Sequence, residues 1–271
     1  MGKEQIKVEY IDHMGSDLST VNSARVSFDK ESDWLESLET DALQAIHKTL
    51  AYIAGRNDWF TVKQTKGVLA EGDVKLIKYL AKHKHMTPFR HNQIQIRCHA
   101  PIFLARQLGK HQAGLSWNEV SRRYVDSEPE FFMPDEWRLK PEGSIKQGSS
   151  AKAHVEKSFV IEENYWDSYN DEPLEDVLGT ALDAYRLLMV NSLDLYSEMV
   201  EQNIAPEMAR MVLPQSMMTS WYWTGNLISF AHVYKERIAE GAQLEAQWFA
   251  EELDKVIRPL FPESWKALVD G

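Results

Sequence analysis

The chain has 271 residues, 44% of them hydrophobic and 26% charged, and its formal net charge is −11. These proportions exclude a collagen-like, low-complexity or wholly disordered chain. The single cysteine excludes an intrachain disulfide framework and a CxxC zinc module, and it favours a reducing compartment. A nucleic-acid polymer is an unfavourable partner for so acidic a chain, because phosphate neutralisation dominates that kind of binding.

In chain order, the first element is a strand from Ile6 to Ile11, predicted by alternation. Helical patterns follow at Asp17–Val26, Asp41–Ala54, Asp73–Lys82, Ile102–Leu108, Pro173–Glu201, Pro206–Val212 and Gly241–Leu260. We expect Ser16 or Asp17 to cap the first helix, and Pro101 to occupy the first position of the helix that continues to Leu108. These patterns predict a mixed α/β protein.

A half-buried strand is predicted from His91 to Ala100, because Ile94, Ile96 and Cys98 alternate with polar residues. The segment Asn118–Val125 fits either a strand or the start of a helix. The loop Pro141–Ala151 separates a mixed α/β half from a mostly helical half. Because this loop is short and the first strand needs partners, we expect a single domain.

Two segments bear on membrane targeting. The amino terminus lacks an apolar core, so it does not resemble a secretory signal. Met211 to Tyr234 is the longest stretch without Asp, Glu, Lys or Arg, with 24 residues. It is long enough to span a bilayer, but its proline, amide and hydroxyl residues are too polar for hydrocarbon. We interpret it as buried in protein or in a subunit interface.

Positive charge is concentrated between Lys75 and Arg123. This stretch carries ten basic residues and one acidic residue, so its formal charge is +9 while the rest of the chain carries −20. Five of the nine histidines also lie there. Such a segment suits a small anion, for example a nucleotide or a phosphorylated cofactor. The alternative is a solvated basic face that pairs with acidic helices elsewhere.

Cys98 is the obvious candidate nucleophile, with His99 beside it. Adjacent strand residues point to opposite faces, so His99 is badly placed to act as a base for Cys98. A buried, structural Cys98 is therefore favoured. The histidine spacings lack an HExxH pattern and do not favour a metal site, and no P-loop or GxGxxG turn is present. Phosphates would have to be held by side chains and exposed helix amides.

Polar residues are densest between Ala105 and Tyr124. A cationic run is followed by hydroxyl, amide and carboxylate side chains, and then by two arginines. Guanidinium groups suit phosphates, whereas amides and carboxylates suit nucleobase or ribose edges. A polar surface turn is the alternative interpretation.

This stretch resembles the signature of the flavin-dependent thymidylate synthases, which is Arg-His-Arg followed after seven or eight residues by Ser. Here the corresponding residues are Lys110-His111-Gln112 and, eight residues later, Ser121. Further matching blocks occur in the same order along most of the chain: Asp17-Leu18 with Ala24–Phe28, His85–His91, Ala100–Phe103 with Ala105–Gln107, Ala209-Arg210 with Val212–Pro214, Trp223–Asn226, and Arg237 with Ala242-Gln243.

The resemblance implies one domain over residues 1–271, with a mostly antiparallel sheet flanked by long helices and insertions near 31–72 and 140–153. It implies a cytoplasmic homotetramer with FAD at subunit interfaces. The implied reaction is reductive methylation of dUMP to dTMP, with methylenetetrahydrofolate as carbon donor and NADPH as reductant of the flavin. No enzyme nucleophile, metal, membrane or nucleic-acid polymer is implied.

Site residues are carried over from the family position by position. Those implied to bind dUMP are Gln107, Lys110, Ser121, Arg122, Arg123, Arg210 and Arg237. Those implied to contact the flavin are His85, Thr87, Lys110, His111, Gln112, Glu119, Asn226 and His232. Arg237 matches the arginine that faces the uracil ring, where a guanidinium stabilises negative charge as it develops.

The chain departs from the family pattern at several of these positions. Lys110 keeps the charge but loses the bidentate fork, and Gln112 loses the charge. Arg90 replaces a usually acidic residue, while Ile228 and His232 stand where Arg and Asn are common. Two other hypotheses therefore stay open. One is a cysteine-dependent pyrimidine methyltransferase without flavin, and the other is a non-catalytic nucleotide-binding homologue.

Overall fold

The computed structural model describes residues 2–35, 67–125, 127–140, 149, 159–162 and 177–271. The predicted helix Asp41–Ala54 and all but one residue of the predicted loop Pro141–Ala151 lie outside these residues. So do the start of the predicted helix at Pro173 and most of both predicted insertions.

The described residues form both strands and helices, as expected for the predicted mixed α/β protein. The strands are β1 (Lys7–Met14), β2 (Gln93–Pro101), β3 (Leu115–Glu119), β4 (Phe159–Glu162), β5 (Val177–Gly179) and β6 (Met218–Asn226). One antiparallel sheet has the order β1-β2-β6-β3, and β4 pairs with β5 in a separate antiparallel pair. The prediction of a mixed α/β fold with a mostly antiparallel sheet is confirmed.

Two of the helices begin at a side-chain cap. The α-helices are α1 (Asp17–Arg25), α2 (Glu71–Lys82), α3 (Ile102–Leu108), α4 (Ala181–Glu201), α5 (Pro206–Ala209), α6 (Leu227–Ile238), α7 (Leu244–Ile257) and α8 (Pro262–Val269). Short 3-10 helices cover Lys3–Gln5, Val26–Phe28, Thr87–Arg90 and Arg210–Val212. Ser16 caps α1 and Thr180 caps α4, each in a reciprocal capping box. Among the described residues, no helix combines the length and apolarity needed to cross a bilayer.

The predicted alternation of β2 is confirmed. Ile94, Ile96 and Cys98 are fully buried, whereas Arg97 is exposed and His99 is half-buried on the opposite face. Burial of the Cys98 thiol raises its pKa well above the usual value, with a further increase from Glu9. A thiol that is buried and protonated is a poor nucleophile, so the structural interpretation of Cys98 is supported.

Several predicted boundaries were wrong. Pro101 ends β2 and caps α3 rather than opening it. The helix expected from Pro173 begins at Ala181, because β5 precedes it and Thr180 caps it. The pattern from Pro206 to Val212 is a short α-helix that tightens into a 3-10 turn at Arg210.

Two segments whose secondary structure the sequence did not decide, Asn118–Val125 and Met211–Tyr234, each contain part or all of a strand. The ambiguous segment at Asn118 belongs to β3 as far as Glu119. The uncharged run Met211–Tyr234 contains β6, with Trp221 and Trp223 buried. The run is only partly buried in the single chain, because Met211, Gln215, Tyr222 and His232 are exposed. Neither β6 nor α6, which begins after it within this run, was predicted, because the run shows no clear period of two or of 3.6.

The backbone separates into two compact units. The first consists of Met1–Ile11, Gln95–Thr224 and Val233–Asp254, and the second of Asp12–Ile94, Gly225–His232 and Lys255–Gly271. The assignment of residues 1–271 to a single domain with two insertions stays a prediction.

Each unit has its own anchoring cluster. In the first, Trp117 of β3 stacks on Trp221 with ring centroids 4.3 Å apart and meets Trp223 edge-on at 5.4 Å, so β3 is fixed against β6. In the second, both carboxylate oxygens of Asp17 accept hydrogen bonds at 2.9 Å from the amides of Glu263 and Ser264, which caps α8.

Candidate functional site

A cavity of ≈ 530 Å³ lies within the first unit, beside β3 and β6. Its lining includes four predicted site residues, namely Glu119, Ser121, Arg122 and Arg210. The other lining residues are His99, Ile102, Val120, Val125, Ser127, Glu128, Glu130, Leu213, Met217, Met218, Thr219 and Ser220. The structure therefore brings together residues that are about 90 positions apart in the sequence.

The segment leaving β3 forms one side of the cavity. Glu119 accepts hydrogen bonds from Thr219 Oγ1 at 2.9 Å and from Trp117 Nε1 at 3.2 Å. The backbone amide of Val120 donates to the carbonyl oxygen of Ser220 at 2.9 Å. Since these bonds tie the end of β3 to β6, the next residue, Ser121, is held at the cavity.

Three consecutive predicted dUMP-binding residues follow Glu119 and Val120. The Ser121 hydroxyl oxygen accepts a hydrogen bond from Arg123 Nε at 3.1 Å. The half-buried Arg122 guanidinium donates to the carbonyl oxygen of Ser127. Arg123 is exposed, lies 5.0 Å from the ring centroid of Tyr124, and is not among the lining residues. Ser121 and Arg122 are therefore better placed than Arg123 to meet a ligand in this cavity.

Arg210 reaches the cavity from the turn after α5. It opens the 3-10 helix Arg210–Val212, and its Nε donates to the carbonyl oxygen of Glu207 at 3.3 Å. The Ser192 hydroxyl of α4 donates to the carbonyl oxygen of Val212 at 2.7 Å, which anchors this turn. Arg210 itself is exposed, so its guanidinium is accessible to an anion.

His99 lines the cavity from β2, although sequence reasoning did not select it as a site residue. Its Nδ1 lies 2.8 Å from Ser220 Oγ, and its Nε2 lies 3.7 Å from Glu130 Oε2. Burial lowers the pKa of His99, and Glu130 partly opposes this shift. The alternation of β2 could have indicated that His99 faces away from the core. Its neighbour Ser220 could not have been found without the pairing of β2 with β6.

Arg237 and His111 form a second cluster in the first unit. Two nitrogens of the half-buried Arg237 side chain, Nε and a terminal one, contact His111 Nε2 at 3.0 and 2.8 Å. Because arginine can only donate, Nε2 accepts and carries no proton. In the same unit, Gln107 Nε2 donates to Gln243 Oε1 at 2.5 Å. Gln243 belongs to a matching sequence block but was not predicted as a site residue.

The other two residues of the Lys110-His111-Gln112 motif are on the surface. Lys110 and Gln112, which flank His111 after α3, both have exposed side chains. An exposed cation next to an exposed amide can bind a phosphate without breaking an internal ion pair.

Four predicted flavin contacts lie in the second unit. His85 and Thr87 are exposed, and the His85 ring stacks with Tyr79 at 6.0 Å between centroids. Asn226 Oδ1 accepts hydrogen bonds from the amide and hydroxyl of Ser229, which fixes the side chain and leaves its Nδ2 group as the part suited to contact a ligand, as a donor. His232 is exposed near the middle of α6. Within the described ranges, no group of three or more His, Cys, Asp or Glu side chains is arranged to hold a metal ion.

A model of the family described as "thymidylate synthase complementing protein" matches residues 9–263. The chain belongs to this family. It is 34% identical to a flavin-dependent thymidylate synthase of Thermosipho africanus over 77% of this chain and 82% of the relative. It is 29% identical to that of Thermus thermophilus, over 96% of this chain and 74% of the relative. The resemblance predicted from the sequence is confirmed.

A solved structure supports the fold. A crystal structure of the UMP/dUMP methylase PolB from Streptomyces cacaoi, bound with 5-Br dUMP, superposes with a TM-score of 0.63 at 24% identity. The match covers 98% of this chain and 95% of the PolB chain.

Membership of the family confirms that the chain is an enzyme of the flavin-dependent thymidylate synthase type, a methyltransferase. The family uses FAD, with NADPH and methylenetetrahydrofolate as co-substrates. The residues present fit such a cofactor. Lys110 offers an exposed cation suited to a phosphate, and the Nδ2 group of Asn226 offers a hydrogen-bond donor.

Proposed function

We propose that this chain catalyses the reductive methylation of dUMP to dTMP, with methylenetetrahydrofolate as carbon donor and NADPH as reductant of the FAD. The observation that carries this proposal is the convergence of Ser121, Arg122 and Arg210 on one cavity. These are three of the residues that family resemblance selects for dUMP. The cavity volume of ≈ 530 Å³ lies in the ordinary range for small-molecule sites.

In this proposal the cavity binds the nucleotide phosphate. Arg122 and Arg210 supply guanidinium donors, and Ser121 supplies a hydroxyl group, which together match the oxygens of a phosphate dianion. Arg123 reinforces the site through its bond to Ser121, whereas Lys110, an exposed cation that does not line the cavity, is assigned to the nucleotide by its family position. Binding by arginine forks and a hydroxyl group fixes the orientation of the nucleotide as well as its charge.

Arg237 acts on the pyrimidine ring. A guanidinium beside the uracil favours the N3-ionised form, which makes C5 more nucleophilic without a covalent bond to the protein. His111 restricts the Arg237 side chain through two hydrogen bonds to Nε2, so the guanidinium is already oriented before substrate binds. When FAD is bound, it supplies the hydride that completes the methyl group.

We propose that the predicted flavin contacts bind the flavin, each on the strength of its family position. They are His85, Thr87, Lys110, His111, Gln112, Glu119, Asn226 and His232. This proposal is supported by the exposure of these residues, because each of these polar side chains is exposed or half-exposed and can therefore contact a ligand.

We propose that the functional form is a homotetramer with sites at subunit interfaces. Large apolar side chains are exposed on the single chain, including Phe28 (76%), Val26 (69%) and Met211 (67%). Burial of such side chains between subunits is favourable, at about 25 cal/mol per Å² of apolar surface. Light scattering on a size-exclusion column should give four times the chain mass, and a monomer would contradict the proposal. We place the enzyme in the cytoplasm, where cell fractionation should recover it.

One experiment separates this function from its rivals. The purified chain, supplied with FAD, should show flavin absorbance, and NADPH should bleach it. With dUMP and methylenetetrahydrofolate it should then form dTMP. Failure to retain flavin would favour the cysteine-dependent methyltransferase, which the burial of Cys98 opposes. Binding of dUMP without release of tritium from its C5 position would identify a non-catalytic homologue.

A further inference from the structure

We infer that His99 is an additional phosphate ligand, whose Nε2–H donates a hydrogen bond to the 5′-phosphate of the nucleotide bound in the cavity. This inference rests on the proposed function. None of the family positions used above includes His99, and its evidence is the geometry of the cavity alone.

Ser220 fixes the orientation of the His99 ring. The 2.8 Å contact between Nδ1 and Ser220 Oγ lets the hydroxyl group donate to Nδ1. In that tautomer Nε2 carries the proton and is a hydrogen-bond donor. The nearest acidic atom to Nε2 is Glu130 Oε2 at 3.7 Å, which is too far for a hydrogen bond. In this tautomer, no acceptor among the described residues lies within hydrogen-bond distance of Nε2, so its N–H is available to a ligand.

The charges around the cavity explain why another donor matters. Two arginines and three glutamates line it, so its formal charge is −1 when His99 is neutral. A phosphate dianion needs several donors to overcome repulsion from Glu119, Glu128 and Glu130. The Glu130 side chain is 79% exposed, so it can turn to solvent when an anion enters. The donor of His99, in contrast, is fixed on a strand.

Gln95 provides a matched control for His99. Both residues lie on the same face of β2, and each contacts a hydroxyl group on β6. Gln95 Nε2 donates to Thr224 Oγ1 at 3.1 Å, just as His99 contacts Ser220. Neither Gln95 nor Thr224 lines the cavity. Loss of the Gln95 side chain therefore costs the same kind of cross-strand bond without touching the ligand.

The test compares dUMP with deoxyuridine, which lacks the phosphate, by titration calorimetry on the full chain with FAD bound. His99→Ala should weaken dUMP binding about tenfold, the usual effect of losing a hydrogen bond to a charged group. It should leave deoxyuridine binding within about twofold of the wild type. Gln95→Ala should leave the affinities for both ligands unchanged.

Conservative variants separate ligand contact from ring support. Glutamine places an amide nitrogen near the position of Nε2, and asparagine places one near Nδ1. His99→Gln should therefore recover most of the dUMP affinity, and His99→Asn should not. Glu130→Gln should tighten dUMP binding a few-fold, because it removes a negative charge near the phosphate.

The outcomes are distinguishable. If the wild type does not bind dUMP, both the proposed function and this inference are overturned. If the wild type binds dUMP but His99→Ala does not change its affinity, only this inference fails. Equal weakening of dUMP and deoxyuridine by His99→Ala would show that the ring merely supports the fold, which also overturns the inference.

Discussion

The polar residues at the start of α8 make hydrogen bonds within the protein, whereas those around the cavity leave donors exposed. Asp17 is 3% exposed, and both of its oxygens accept backbone amides at 2.9 Å. Thr20, beside it, accepts hydrogen bonds from Asn92 Nδ2 at 2.8 Å and from Ser264 Oγ at 3.1 Å. Arg210 is exposed and makes a long 3.3 Å bond through Nε.

This contrast distinguishes polar residues that stabilise the fold from polar residues that are available to bind a ligand. A buried polar group costs free energy unless it is paired, and most of the groups around Asp17 are paired within the protein, with Asn92 Oδ1 as the exception. An exposed arginine keeps donors that water can satisfy and a ligand can replace. Substitutions in the first cluster should change stability, and substitutions of the cations should change ligand binding or turnover.

The largest effect should come from Arg237→Ala. Removal of one donor to developing charge lowers turnover by about 10²- to 10³-fold in well-studied enzymes, and we expect a loss of that order here. Bound flavin, measured by its absorbance, should be retained. Lys235→Ala removes an exposed cation from the same helix and is the control, with turnover near that of wild type. Unchanged tritium release from the C5 position of dUMP would refute the role of Arg237.

Asp17→Ala, in contrast, should lower stability and leave turnover unchanged. It leaves two amides at the start of α8 without acceptors, and we expect a loss of about 2–3 kcal/mol in the free energy of unfolding. Urea denaturation measures this loss, with Asp12→Ala as control because Asp12 is exposed on β1. Per folded molecule, turnover should be unchanged. A stable Asp17→Ala variant with impaired turnover would contradict the purely structural role of Asp17.

The success of sequence reasoning differed between these regions for physical reasons. Burial on β2 was predictable, because alternation of Ile94, Ile96 and Cys98 has only one compact arrangement in a half-buried strand. The strand β6 was not predicted, because the exposed Tyr222 between the buried Trp221 and Trp223 is itself aromatic, so the alternation in burial is not visible as an alternation in hydropathy. The meeting of Ser121 with Arg210 followed from family resemblance and not from spacing. His99 was overlooked because its partner Ser220 is adjacent only across the sheet.

Lys110→Ala should weaken nucleotide or flavin affinity a few-fold, because an exposed ammonium group acts mainly through screened Coulomb attraction. Titrations at low and high salt should show the difference from wild type shrinking as salt rises. Lys78→Ala removes an exposed cation from the same basic segment and should leave both affinities unchanged. A loss that does not depend on salt would indicate packing by the lysine stem instead.

Cys98→Ala should have the smallest effect on chemistry. The thiol is fully buried among apolar residues of β2, and burial holds its pKa above the usual range, so it stays protonated. We expect turnover within about twofold of wild type and a loss of about 1 kcal/mol in unfolding free energy, from the small cavity left behind. Cys98→Ser is the informative partner, because it keeps the shape but buries a hydroxyl group that needs a hydrogen bond. It should be less stable than Cys98→Ala while turning over equally well. Loss of dTMP formation in both folded variants would instead make Cys98 a nucleophile and remove the reason for placing the chemistry at Arg237.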